Sequence, residues 1–285
     1  MPAHMRELEG KVAIVTGASR GIGAAIARRF AAEGAAVALV ARTVDANSGS
    51  RYPGTLADTL RAIDAAGGRA IAIGADLSQP DSRAEIVSRV LAELGPIDIL
   101  VNNAAASWAK PLWEFPTKQY RAMFEVHVHS SFELAQLVIP HMRERGEGWI
   151  LNMTSGEARH PDGPPFVQEA DRTGLTAYAM CKAALERFTT GLAAEAYEIG
   201  IAVNALGPSK SVLTYGMNHP PVPDDRPDLV EPIEDTVEAA LALCSGRPGV
   251  LTGRIASTGP LLEELGRVVR GLDGQSMPPP PAPLR

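Results

Sequence analysis

The stretch TGASRGIG, residues 16–23, lies between an apolar run at 12–15 and an Ala-rich segment of helical length. Its glycines stand at a strand-to-helix junction, where ordinary side chains would obstruct the backbone. Gly17 lets the chain turn, Gly21 lets the backbone approach a pyrophosphate, and Gly23 permits close helix–sheet packing. The helix that follows begins with unpaired N–H groups, which suit an anion. No Gly-Lys-Ser/Thr ending is present, which disfavours a nucleoside-triphosphate loop. A purely structural turn is the alternative for the glycines taken alone.

Outward from this junction, short apolar or β-branched runs alternate with helical segments. Strands are expected at 12–16, 36–41, 70–74, 97–101, 149–153, 201–205 and 254–257. Helices are expected at 22–33, 55–66, 81–94, 117–144, 176–198 and 234–244. This alternation implies right-handed βαβ units, hence an α/β fold with a parallel sheet covered on both faces. One domain is expected over 1–270, with a Pro-rich tail over 271–285 that cannot continue a helix or a central strand. Segments 43–54 and 214–232 read as loops.

Composition narrows the function. Lys plus Arg is 27 against 33 Asp plus Glu, a net charge of −6 with no basic block, so nucleic acid is not an expected partner. No apolar run is long enough to span a bilayer, and MPAHMRELEGK is too polar for a signal peptide, so a cytoplasmic location is expected. Cys181 and Cys244 have neither metal-ligand spacing nor the number of a disulfide scaffold, and read as reduced thiols.

The end of the second strand selects the cofactor. NAD-selective sites place an acid there to hold the ribose hydroxyls. In VALVART that position is Ala41, followed by Arg42 and Thr43. Arg42 can clamp a 2′-phosphate, Thr43 can donate to it, and Arg20 can approach from the glycine loop. NADP(H) is therefore expected. Solvated surface charge is the alternative for the two arginines.

TAYAMCKAAL, residues 176–185, puts Tyr178 and Lys182 four apart on one helix face. A lysine about 5 Å from a tyrosine, at an effective dielectric near 20, stabilises the phenolate by roughly 3 kcal/mol, about two pKa units. Tyr178 would then exchange a proton near neutral pH. WILNMTSG, residues 149–156, ends a buried strand in hydroxyls, and Ser155 can polarise a carbonyl beside Tyr178. Thr154 and Ser155 could otherwise cap a turn.

Taken together, these motifs resemble the short-chain dehydrogenase/reductase family over about residues 8–260. The matches are TGASRGIG, Asp76-Leu77, VNNAA at 101–105, Ser155, Tyr178-x-x-x-Lys182 and VNALGP at 203–208. The stretch ARTVDANSGSRYPGT is further similar to a hydroxysteroid dehydrogenase-like branch. The resemblance implies a seven-stranded Rossmann sheet in a homotetramer or homodimer. Gly17, Ser19, Arg20, Gly21, Ile22 and Gly23 would then cradle the cofactor phosphates. Asp76 would bind the adenine, Leu77 would join the cofactor site beside it, and Asn103 and Ala104 would border the cofactor. Pro208 and Thr214 would also bind the cofactor, and Lys182 would hold its nicotinamide ribose.

Three departures stand out. The family's fourth catalytic residue is an Asn in the long helix, and EVHVHSSF, residues 125–132, places His127 there. On an α-helix His127 and His129 diverge, which argues against a two-histidine metal site. Neutral His127 could support the helix and a proton route behind Lys182, or simply pack. Gaining charge beside Lys182, it would lower activity at mildly acid pH. The family's Pro-Gly after the sixth strand is Pro208-Ser209 here, and Ser155 and Tyr178 are 23 residues apart, a longer interval than the family's usual one. That interval, 156–176, is expected to cover the substrate.

The expected activity is carbonyl–alcohol interconversion on an apolar small molecule such as a fatty, terpenoid or steroid carbonyl. Trp108, Trp113, Phe166 and Tyr215 suggest the apolar pocket, or else subunit contacts. A non-catalytic NADP(H) sensor or scaffold is the rival from another class. A C=C reductase of the same fold is disfavoured by the spacing of four between Tyr178 and Lys182.

Overall fold

The chain's structure, a computed structural model, describes residues 6–166, 174–214 and 226–277. The first strand, β1 (Val12–Thr16), enters helix α1 (Gly21–Ala32) through the glycine loop. There follow β2 (Ala36–Ala41), α2 (Leu56–Ala65), β3 (Arg69–Gly74), α3 (Asp81–Glu93) and β4 (Ile99–Asn102). The second half runs α4 (Thr117–Phe124), α5 (Ser130–Arg145), β5 (Gly148–Met153), α6 (Thr176–Ala196) and β6 (Ile201–Gly207). It closes with α7 (Ile233–Ser245), β7 (Ile255–Ser257) and α8 (Thr258–Leu265).

All pairings are parallel, in the order β3-β2-β1-β4-β5-β6-β7. Alternate residues of each strand feed opposite faces. Ala13 and Val15 of β1 pack with Ile26, Phe30, Val237 and Leu241 on one side. Ile14 packs with Ile86, Val90, Leu134, Val138 and Ile150 on the other. Strands β1, β4, β5 and β6 are buried throughout, which is why they read as continuous apolar runs. The strand order reverses between β1 and β4, so the crevice at their carboxyl ends is where an open α/β sheet binds its ligand.

Two sequence expectations change. Helix α8 is additional to the expected helices; Pro260 sits in its first turn, where a missing N–H costs nothing. The segment 117–144 is not one regular helix, and its irregularity is not at Pro140. Residues Glu125–His129 form a π-helical turn between α4 and α5. Its widened ring is closed by the Ser130 N–H donating to the Glu125 carbonyl. The Ser130 and Ser131 hydroxyls cap the carbonyls of Val126 at 2.6 Å and His127 at 2.8 Å. Among the described residues, no helix is long and apolar enough to cross a membrane.

Candidate active site

Every candidate site residue lies at the carboxyl edge of the sheet, each in the connection that follows a strand or in the helix behind it. Gly17 and Gly21 have positive φ, +69° and +57°. A Cβ on Gly23 would stand 2.3 Å from Asn103 Nδ2 and 2.4 Å from the Gly17 carbonyl, so only glycine fits. Thr16 clamps the two switch-point loops, its Oγ1 accepting from the N–H groups of Asn103 at 2.9 Å and Ala104 at 3.0 Å. Asn103 Nδ2 returns a bond to the Thr16 carbonyl at 2.9 Å. Ser19 is buried and Ile22 partly buried at the mouth of α1. That helix has no side-chain cap and no acid in its first turn, leaving its N–H groups to an anion.

The end of β2 gathers positive charge. Arg20 donates to Thr43 Oγ1 at 3.0 Å and to the Gly54 carbonyl at 2.9 Å, and its guanidinium lies 5.9 Å from the Tyr52 ring centroid. Arg51 lies 4.8 Å from the same centroid. Gly54, at φ +95°, allows this loop to touch the glycine loop, since a Cβ would stand 2.8 Å from the Ser19 carbonyl. Burial and the charge of Arg42 together hold Arg20 below the usual guanidinium range. Arg20 Nε is buried with no hydrogen-bond partner. The nearby charge of Arg42 and the orphaned buried Nε of Arg20 fit a phosphate at this corner.

On the far side of β1, Ser155 follows β5, and Tyr178 and Lys182 share the inner face of α6. Ser155 hydrogen-bonds Tyr178 and accepts from the Glu157 N–H at 3.3 Å. Lys182 is buried, donates to the Met153 carbonyl at 2.6 Å and lies 5.5 Å from the Tyr178 ring centroid. The charge of Lys182 does not by itself make Tyr178 a near-neutral acid. Burial raises Tyr178 to about 12, outweighing the Ser155 hydrogen bond, and the charges of Glu157 and Cys181 add to the rise. Burial also brings Lys182 down to about 8. Desolvation, which a helix spacing does not reveal, is the larger effect here.

His127 is 1% exposed, whereas His129 is exposed. The His127 ring meets Tyr178 edge-on at 5.6 Å between centroids. Its Nε2 lies 2.8 Å from the Ala106 carbonyl and 3.1 Å from the Ala106 N–H, while Nδ1 is buried without a partner. Burial, then the charge of Lys182, lowers its pKa to about 3. His127 therefore stays neutral through mildly acid pH, which corrects the expectation that its charging would limit activity there.

The remaining candidates take their places nearby. Asp76 Oδ1 accepts from the Ser78 N–H at 3.0 Å and its hydroxyl at 2.8 Å, and Leu77 is buried beside it. Thr214 packs on Gly21, with its Cβ 3.3 Å from where a Gly21 Cβ would stand. Ser209, after Pro208, has no positive φ to relieve, because Glu231 holds this turn by accepting from the N–H groups of Ser209 and Lys210, each at 3.0 Å. Glu231 and Arg83 are not marked by any sequence motif, since Arg83 reaches Glu125 and Glu231 reaches Ser209 across long stretches of chain. Trp108 packs in a small cluster with Met123, Ala177 and Tyr178, while Trp113 is 86% exposed and Phe166 61%. Tyr215, residues 167–173 of the expected covering segment, and the tail from 278 lie outside the described residues.

Residues 11–218 match the model of the short chain dehydrogenase family. A short chain dehydrogenase of Pseudocercospora fijiensis is 35% identical over 279 residues, covering 90% of this chain and 84% of that protein. The 7alpha-hydroxysteroid dehydrogenase of Escherichia coli is 32% identical over 256 residues, covering 87% and 92%. A blue fluorescent protein from a metagenomic library, solved in complex with NADPH, superposes with a TM-score of 0.74 at 33% identity, covering 88% of this chain and 97% of that one.

Proposed function

The chain belongs to the short-chain dehydrogenase/reductase family of oxidoreductases acting on CH–OH or C=O groups with a nicotinamide cofactor, and from that premise we propose an NADP(H)-dependent carbonyl reductase with a Ser155-Tyr178-Lys182 site. The observation that carries the reading is the convergence of these three side chains beside a glycine loop whose adjoining corner presents Arg20 and Arg42 with no acid at Ala41. Arg20, Arg42 and Thr43 would hold the 2′-phosphate, and the first turn of α1 the pyrophosphate. When bound, the nicotinamide supplies or accepts hydride.

This chain's own groups manage the proton and the oxygen. Tyr178 keeps its proton at neutral pH, which is the state a carbonyl reduction consumes. As the carbonyl carbon takes hydride, the Tyr178 O–H gives its proton to the developing alkoxide. Ser155 donates to the same oxygen and holds it against Tyr178. Lys182, charged below about pH 8, steadies the tyrosinate left behind. The cluster around Trp108 supports an apolar substrate, and the steroid activity named for the Escherichia coli relative is consistent with one. A homodimer or homotetramer is supported by Phe132, 47% exposed on α5 against Phe188 of α6.

The test is a turnover screen of carbonyl compounds with NADPH and with NADH. Reduction of an apolar ketone or aldehyde with NADPH, and much weaker use of NADH, is expected. A protein that binds NADPH and reduces none of the panel would favour a sensor or scaffold instead.

A further inference from the structure

Arg83 is the one arginine of α3 whose guanidinium is fully enclosed, with 1% of its side chain exposed. Neither the glycine loop nor the reacting triad touches it. Its Nε and Nη2 donate to the Leu77 carbonyl at 3.2 and 2.8 Å. Nη2 also reaches the Glu125 carboxylate at 2.6 Å and, more loosely, the Glu125 carbonyl at 3.4 Å. Nη1 forms an ion pair with Glu133 of α5 at 2.7 Å. One side chain thus grips both the turn after β3 and the start of the π-turn Glu125–His129.

Both ends of that bridge matter to the proposed reaction. The turn at Asp76-Leu77 is where the family resemblance puts the adenine, and His127 of the π-turn lies against Tyr178. A π-turn is an α-helix with one residue too many, and reverting to α register would rotate the segment before it. The Glu125 carbonyl that closes the widened ring is the atom Arg83 approaches. Burying a guanidinium is costly unless it is paired, and here two carboxylates and two carbonyls pair it.

Resting on the NADP(H) reading, we propose that Arg83 is a positioning residue that couples occupancy of the adenine end to the π-turn holding His127 against Tyr178. Cofactor contact at the Leu77 turn braces the carbonyl that anchors the guanidinium, and the guanidinium in turn holds Glu125 and the widened turn. The coupling is a property of the binding equilibrium, so it is measurable without turnover.

The probe is adenosine 2′,5′-bisphosphate, which carries the adenine and the 2′-phosphate but no nicotinamide. Amide hydrogen exchange is followed across 120–131 in the full chain, with and without the probe. In the native protein, binding should slow exchange at 125–131 by about fivefold or more, the lower end of ordinary coupling factors. Arg83→Gln should still bind the probe through Arg20 and Arg42, with that slowing abolished. Should Arg83→Gln fold poorly, Glu125→Ala carries the same expectation, since it removes the carboxylate that Arg83 grips at the π-turn. Probe binding without slowing in the native chain, or full slowing in either variant, overturns the coupling. A native chain that does not bind the probe overturns the NADP(H) reading, and the coupling with it.

Discussion

Replacing His127 by Asn isolates what burial does to a neutral imidazole behind the reacting tyrosine. The His127 pKa falls from 6.5 to about 3 in the folded chain. The unfolded chain therefore takes up a proton below about pH 6.5 that the folded chain refuses until about pH 3. Stability from this group is complete above the unfolded value and is lost as pH falls toward the folded one. Between about pH 7 and about pH 5 the loss comes to about 2 kcal/mol, from roughly 1.4 kcal/mol for each pH unit below 6.5. Other groups titrate over the same range, so the quantity to measure is the difference between two proteins. Urea unfolding at both pH values should show His127→Asn losing about 2 kcal/mol less than the native chain on acidification. Activity of the Asn variant should persist, with an unchanged acid limb, because His127 carries no charge there to begin with. His127→Leu should lose activity, having no group for Ala106. Equal acid destabilisation of the native and Asn proteins would refute the buried, neutral imidazole.

Arg20→Ala should weaken NADPH by about 2 to 3 kcal/mol, roughly 30- to 150-fold, because its guanidinium is already ordered by Thr43 and Gly54. Arg42→Ala, at an exposed and solvent-screened position, should cost only about tenfold. NADH binding should change little in either variant, and equal losses for both cofactors in a fluorescence titration would rule out the phosphate clamp. Lys182 loses its charge above about pH 8, so the rate of carbonyl reduction should fall on the alkaline side with an apparent pKa near that value. A rate that stays flat well above that pH would show that the Lys182 charge is not needed.

The sheet was legible because its signals are local. Apolar runs of strand length, glycine junctions and hydroxyl-terminated β5 each declare themselves within about ten residues. The same holds for the positions of Gly17, Arg42, Ser155, Tyr178 and Lys182, which the fold brings to one edge. What stayed hidden depends on the third dimension. The π-turn leaves no periodicity change that a five-residue window could expose, and Ser130 and Ser131, which cap it, look like ordinary polar positions. Arg83 and Glu231 act across 42 and 22 residues of chain, from Arg83 to Glu125 and from Glu231 to Ser209, so no spacing rule finds them. The Tyr178 value was misjudged for a related reason: a helix spacing gives a charge distance but not the burial that outweighs it.

The central claim is that Tyr178 moves the proton while the rest of the site holds cofactor and substrate. Tyr178→Phe removes one oxygen and little contact area, which separates chemistry from binding. The decisive measurement pairs NADPH titration with single-turnover reduction of a ketone that the native enzyme accepts, in both proteins. NADPH affinity should be unchanged within about threefold and the hydride-transfer rate lowered by about 100- to 10,000-fold, the usual contribution of a positioned acid. A Phe variant that binds NADPH and reduces the ketone at close to the native rate would contradict that claim.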